Sequence, residues 1–176
     1  GGARPKALIK NKAKLQWIAK FPKLNDTYHV EPMEAASLQL ARDAGVQVPN
    51  FLIQNAGSRK VLLVERFDVT GQGGRNHMIS MQTLLGADGY YNLSYSDMFR
   101  VINKYSCRPQ EDRNKLFRQM VFNAAIGNTD DHLKNFCLLH TAKGFSLSPA
   151  YDLVPDIHHN REHRLSFPQG AGTLPP

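Results

Sequence analysis

Cysteine is scarce in this 176-residue chain: Cys107 and Cys137 are the only two, and their spacing suits no metal-binding pair. Nothing calls for an oxidising compartment, and both are expected to be buried thiols. Long apolar runs are missing as well. No stretch reaches the roughly eighteen consecutive apolar residues of a membrane helix, and the opening GGARPKALIKNK contains no apolar signal-peptide core. A soluble, cytoplasmic protein without membrane contact is the expectation. Acids are outnumbered, 15 against 22 lysines and arginines, giving a formal charge of +7. A field of that sign attracts nucleotides, acidic protein surfaces or nucleic acid. The sequence shows no internal repeat and no low-complexity segment. With 41% hydrophobic residues it has enough apolar content for one sizeable core, or for two small lobes sharing a cleft.

What is present reads first as a small antiparallel sheet. Gly1, Gly2, Ala3, Arg4, Pro5 and Lys6 form a glycine-led basic turn before the apolar ALI, which starts a strand. Backbone N–H groups in such a turn suit phosphate oxygens, and two leading glycines equally suit a plain flexible terminus. In Leu15 to Phe21 the residues Leu15, Trp17, Ala19 and Phe21 share one strand face, with Gln16, Ile18 and Lys20 on the other. A lysine on the inner face needs an anion, because an unpaired buried ammonium is costly. The partner is either a nucleotide phosphate or Glu34. From Pro32 the pattern predicts a helix stopped by Gly45. Met33, Ala36, Leu40 and Ala44 form an apolar stripe on it, and Glu34, Leu38 and Ala41 a second, flanking face. Strands over 51–55 and 60–67 follow, joined as a hairpin at Gly57-Ser58. The stretch LLVERFD then leads into a larger lobe. Its backbone suits an adenine edge, and Glu65 and Arg66 also suit a plain surface ion pair.

Residues 70–77 form a glycine-rich loop. Helices are expected over 80–86, 94–105 and 112–126, the last with Leu116, Phe117, Met120, Val121, Ala124 and Ala125 on one broad face at the centre of the second lobe. Gly127 stops it. The polar loop NTDDH leads to a strand over 135–140, a turn at 141–144 and a returning strand over 145–148. A hairpin places the start of its first strand beside the end of its second, so Asn135 and Asp152 are expected at the same end, next to Asp130. Magnesium takes hard oxygen ligands and usually only one or two from protein. Asn135 and Asp152 meet that demand, leaving Asp130 to accept a hydroxyl proton. Asp131 is the rival base, but it stands four residues from Asn135 where Asp130 stands five. Strand lysine, helical glutamate, then base, amide and acid in this order match the phosphotransfer arrangement of protein kinases. Each of these residues alone is equally an ordinary cap or turn residue. Lys134 suits a transferring phosphate or plain solvent. Among the histidines, His159 and His163 are four apart, but no acid or cysteine stands at a zinc spacing. His132 is assigned to the active loop.

The segments GGARPK, IAKFP, VERFD, HMIS, IGNTDDHLKNF and LSPAYDL, in this order and across nearly the whole chain, resemble the C-terminal kinase region of HipA-like serine/threonine kinases, toxin halves of bacterial toxin–antitoxin pairs. The resemblance implies an α+β, two-lobed kinase-like fold, with an antiparallel-sheet N-lobe over residues 1–68 and a mainly helical C-lobe over 69–176. It implies ATP and Mg2+ as cofactors. It assigns Gly1 to Lys6 as the phosphate-covering loop, Lys20 as the phosphate lysine supported by Glu34, and Glu65, Arg66 and Phe67 as the adenine connector. Asp130 would be the base, with His132, Leu133, Lys134 and Asn135 completing the catalytic loop and Tyr151 and Asp152 the metal-binding turn. The implied substrate is a protein serine or threonine, on an aminoacyl-tRNA synthetase, and the implied partner is a DNA-binding antitoxin. Family members are commonly longer, so the chain is expected to be truncated, lacking helices that complete the large lobe. Some members phosphorylate a serine just before the glycine loop to switch themselves off, and the residues of this sequence include no such serine. Two other readings stand beside this one: a small-molecule kinase of the same broad fold, and a basic binding module without activity that contacts an antitoxin or nucleic acid.

Overall fold

The structure, a computed structural model, describes residues 4–11, 15–26, 28–71, 73–88, 92–157 and 162–167. The proposed loop residues Gly1, Gly2 and Ala3, and the histidines His158 and His159, lie outside them. Strands β1 (Lys6–Lys10), β2 (Gln16–Lys20), β3 (Phe51–Ala56) and β4 (Arg59–Glu65) form an antiparallel sheet in the order β1-β2-β4-β3. Alternation in β2 sorts its side chains as its pattern predicts. Ala19 packs with Val61 and Leu63, flanked by Trp17 and Phe21, on one face. Lys20, in register with Leu62, lies on the other. The β3–β4 hairpin turns at Gly57 and Ser58, where Gly57 has φ +64°, a conformation costly for any residue with a Cβ.

Helix α1 (Val30–Asp43) covers the Lys20 face of this sheet, with Pro32 in its first turn, where a missing N–H costs nothing. Of the two faces read from its sequence, the flanking one is buried: Glu34, Leu38 and Ala41 point inward with Ala35 and Ser37. The more apolar stripe points outward, Leu40 being 58% exposed. Ala35, Leu38 and Ala41 meet Leu62 and Val64, and the same cluster continues to Phe122, Ala150 and Leu153 of the second half. Each fully buried leucine here, such as Leu38 or Leu62, contributes about 2 kcal/mol.

The second half holds β5 (Met78–Ser80), α2 (Met81–Leu84), α3 (Tyr95–Tyr105), α4 (Pro109–Ile126), a 3-10 turn at Leu133–Asn135, and strands β6 (Cys137–Thr141) and β7 (Gly144–Leu147). The expected hairpin is there, with Leu138 opposite Leu147 and Thr141 opposite Gly144. Asn135 belongs to the turn preceding it rather than to its first strand. Strand β5, which the loop reading of this region did not anticipate, adds a third member in the order β5-β6-β7. Helix α3 starts at a capping box in which the Asp97 carboxylate accepts from the Ser94 N–H at 2.7 Å. Its Met98, Val101 and Ile102 join Leu116, Phe136 and Leu138 in the main core.

Helix α4 departs from expectation twice. It begins at Pro109 instead of Asp112, and its buried side is Asp112, Leu116, Gln119, Phe122 and Asn123. Phe117 and Val121, expected inside, are 54% and 48% exposed. Asp112 and Asn123 are turned inward because they have partners there. Asp112 Oδ2 accepts from Ser106 Oγ at 2.6 Å and from the Leu147 N–H at 2.8 Å, tying the helix to α3 and β7. Cys137 is buried as expected, whereas Cys107 is exposed. Among the described residues no helix is long and apolar enough to cross a membrane.

Candidate active site

A cleft of about 690 Å³ opens between the four-stranded sheet with α1 and the loops after α4 and β7. It is built from both halves of the chain. From the first half, β2 delivers Lys20 and the second turn of α1 delivers Glu34, and Lys20 Nζ donates to Glu34 Oε1 at 2.6 Å. Lys20 also binds the carboxylate of Asp152, which arrives on the loop beyond β7. Burial alone would lower the Lys20 ammonium, but Glu34 and Asp152 beside it hold its pKa above the ordinary value. Burial works against ionising Asp152 too, and here Lys20 prevails and holds the carboxyl below its usual range. Glu34, the most enclosed of the three, is pushed upward by burial. Asp152 has φ +54°, the only positive value at a non-glycine among the described residues. Such a backbone is costly and is kept where the surroundings over-determine it.

From the second half comes the loop after α4. Gly127, left-handed at φ +64°, ends the helix, and the chain passes through Asn128, Thr129, Asp130 and Asp131 into the 3-10 turn. Asn135 Nδ2 donates to the main-chain carbonyl of Asp130 at 2.9 Å, so the amide orientation is fixed and Oδ1 is the end this bond does not use. The two neighbouring acids differ sharply. The Asp130 side chain is 75% exposed at the cleft, with His132 Nε2 at 3.8 Å, beyond hydrogen-bond reach. Asp131 is 1% exposed, and Tyr95, His163 and the Arg164 N–H all bond its carboxylate. Tyr151 Oη donates to the Lys134 carbonyl at 2.9 Å and lies 3.0 Å from the Cys137 thiol, linking the loop after β7 to the turn before β6. Burial pushes the Tyr151 hydroxyl far above its ordinary pKa, so it stays a donor.

Of the residues singled out from sequence, Arg4, Lys6, Lys20, Glu34, Asp130, His132, Lys134, Asn135, Tyr151 and Asp152 line this one cleft. Arg4 is already engaged there, its guanidinium bidentate on Asp26 at 2.6 and 2.9 Å and reaching Glu31 at 3.3 Å. Pro5, Glu65, Arg66 and Phe67 are not on its wall, and Leu133 is fully buried in the core behind it. The connector residues have other partners. Glu65 accepts from Asn50 and Arg66 grips Asp68, so the two do not form the surface ion pair considered for them. Their N–H groups bond the carbonyls of Asn50 and Gln16, and Phe67 reaches toward the site only by its ring, 5.8 Å from that of Tyr151. Sequence reasoning missed Thr129 and Asp156, which hydrogen-bond each other at 2.8 Å on the cleft wall. The VPD that follows AYDL was the available signal.

The donor set fits a small hard cation. One carboxylate and one amide oxygen match the one or two protein ligands that magnesium usually takes, with phosphate and water supplying the rest. Among the described residues no group of three His, Cys, Asp or Glu could hold a metal ion by itself.

Comparison with known proteins identifies the fold and the family. The chain is 29% identical over 174 residues to the serine/threonine-protein kinase toxin HipA of Shewanella oneidensis, an alignment covering 85% of this chain and 39% of that protein. It is 30% identical over 152 residues to the Y4mE protein of Sinorhizobium fredii, covering 80% of this chain and 34% of the relative. The chain therefore spans between a third and two fifths of the length of these curated relatives. A solved complex of Shewanella oneidensis HipA and HipB with operator DNA superimposes with a TM-score of 0.78 at 25% identity, over 94% of this chain and 46% of the other. The Helicobacter pylori proinflammatory kinase CtkA shares the fold, with a TM-score of 0.67 at 15% identity over 84% of this chain and 54% of that one. The two-lobed, kinase-like α+β fold is thus established. The profile of the HipA-like C-terminal domain matches residues 1–173, and the chain belongs to that family.

Proposed function

We propose that this chain carries out ATP- and Mg2+-dependent phosphotransfer to a serine or threonine of a protein, with residues 1–68 as the N-lobe and 69–176 as the C-lobe of the catalytic unit. One observation carries the reading: Lys20, held by Glu34, meets Asp152 across a cleft whose floor presents the exposed carboxylate of Asp130. Lys20 remains a full cation and supplies positive charge to the nucleotide phosphates. Glu34 aims it. Asp152 and the Oδ1 of Asn135 would hold Mg2+, which would supply positive charge to offset that of the phosphates. Asp130 accepts the proton of the attacking hydroxyl and orients it in line with the terminal phosphate. Its exposure leaves room for an acceptor on a protein surface. Lys134, exposed at the cleft rim, adds charge for the transferring group. By likeness to the HipA–HipB–operator complex, the proposed partner is a DNA-binding antitoxin, through which the chain contacts DNA. An aminoacyl-tRNA synthetase is the substrate class to which the resemblance points.

The test is incubation with labelled ATP and magnesium, alone and with a cell extract, beside Asp130→Asn and Asp152→Ala. Label entering protein only when both acids are intact is the expected result. Label in small metabolites would replace the protein acceptor with a small molecule, and no transfer by the unaltered chain would overturn the reading.

A further inference from the structure

The loop that presents Asp130 is held from beneath by a buried hydrogen-bond chain that the phosphotransfer reading does not use. Asn128 Nδ2 donates to Asn123 Oδ1 at 3.1 Å, and Asn123 Nδ2 donates to Tyr95 Oη at 3.1 Å. Tyr95 Oη donates in turn to Asp131 Oδ2 at 2.8 Å. The chain thus leaves the loop at Asn128, crosses α4 and α3, and returns to it at Asp131, bracketing Asp130 in sequence. Two groups of a distant segment complete it. His163 Nδ1 stands 3.0 Å from Asp131 Oδ2, and since a carboxylate only accepts, this nitrogen carries the proton and donates. The Arg164 N–H donates to Asp131 Oδ1 at 2.9 Å. That segment is itself anchored in the main core by Leu165 and Phe167, whose ring stacks on Tyr95 with centroids 5.6 Å apart. Asn128, Thr129 and Asp131 are all buried and hydrogen-bonded, Thr129 to Asp156 on the cleft wall, and Asp130 alone of the four has an exposed side chain.

We infer that Asp131, Tyr95 and His163 are positioning residues, a clamp through which the segment 162–167 fixes the direction of the Asp130 carboxylate. The inference rests on the reading of Asp130 as the base. Buried hydrogen-bonded networks rigidify what they hold. Here both oxygens of Asp131, the Tyr95 hydroxyl and the Asn123 amide are engaged, and Asn128 is held through its Nδ2 while its Oδ1 has no partner among the described residues. A base displaced by about 1 Å loses of the order of a hundredfold in rate.

Tyr95→Phe tests the clamp, since it removes one hydroxyl and keeps the ring in the core. Ile102→Val, on the same helix and in the same core, serves as a control for loss of packing. Two quantities are measured on each: kcat and KM for ATP, and hydrogen exchange of the amides in residues 128–135. The expected result for Tyr95→Phe is faster exchange in 128–135, kcat lower by about tenfold or more, and KM for ATP within about twofold of the unaltered chain. Ile102→Val should change neither kcat nor that exchange. Unchanged exchange in Tyr95→Phe, or a loss of kcat no larger than in the control, would overturn the inference. If the unaltered chain transfers no phosphate, the reading of Asp130 falls, and the exchange measurement alone then decides whether the clamp exists.

Discussion

The cleft that Asp130 lines and the interior around its neighbour Asp131 hold two polar centres built on opposite principles. The cleft centre, Lys20 with Glu34 and Asp152, sets one ammonium against two carboxylates, and the Asp152 side chain is 40% exposed on a strained backbone. The interior centre around Asp131 has no exposed member. Both Asp131 oxygens accept from side-chain or main-chain donors. Charge left unbalanced and open to a ligand is available for chemistry, whereas charge saturated with donors is available only for holding the chain. In the adjacent pair Asp130 and Asp131 the donors around the two carboxylates differ, and on the proposed reading that number, not place in the sequence, separates the two roles.

The largest effect that can break this comparison is on rate. Asp130→Asn should lower phosphotransfer by about a thousandfold, since positioned bases contribute of the order of a hundred- to ten-thousandfold. Its melting temperature should stay within about a degree, because an exposed side chain with no close partner contributes little to stability. A large loss of Tm would mean that Asp130 belongs with Asp131 as a structural acid. Asp131→Ala should do the reverse. It strands the Tyr95 hydroxyl, His163 and the Arg164 N–H in the interior, for a cost of roughly 3 to 5 kcal/mol in denaturant unfolding.

Lys20→Met should be less damaging to the fold than Asp131→Ala, at roughly 2 kcal/mol, although Lys20 is also buried. The reason is that the cleft can relax. Burial raises the Glu34 pKa and so makes its neutralisation easier, and Asp152 has access to water, so the stranded carboxylates find other ways to lose or screen their charge. The same variant should weaken ATP binding, read as loss of the ATP-dependent thermal shift. Equal destabilisation by the two substitutions would remove the distinction between an open and a closed polar centre.

Much of this was legible before any coordinates. The strand alternation that isolates Lys20 and the hairpin between Asn135 and Asp152 are local patterns, which local geometry largely determines. The order lysine, glutamate, acid, amide, acid spans 132 residues and was legible only as a pattern of residue types along the chain. What was not legible is burial of polar groups, since hydropathy assigns inside and outside by transfer from water and cannot see a partner. In α4 that rule placed Phe117 and Val121 inside, whereas Asp112 and Asn123 are there because α3, β7 and the Asp130 loop offer them bonds. In α1 it favoured the stripe through Leu40, whereas the sheet took the face that sets Glu34 against Lys20. The clamp was hidden for the same reason. Asp131 and His163 are 32 residues apart, and no periodicity links them.

The smallest effect, and the one that tests the charge balance of the cleft most directly, is on the pH dependence of stability. Asp152 is held below its ordinary value of 3.8, so its contribution is complete above that pH and is lost as the pH falls through its depressed native value. Glu34 is pushed above its ordinary value of 4.5 by burial, which reverses the sign. Its contribution is complete below 4.5 and is lost as the pH rises through its raised native value. Thermal melts of the unaltered chain should therefore show a decline in Tm above pH 4.5 superimposed on the usual acid limb below 3.8. Glu34→Gln keeps the shape of the side chain and removes its titration. In that variant the decline above pH 4.5 should flatten while the acid limb remains, because Asp152 still has Lys20. An unchanged profile would mean that Lys20 keeps Glu34 ionised in the folded state as fully as it does Asp152. The cleft would then carry a net negative charge at neutral pH that only a cation or a ligand could relieve.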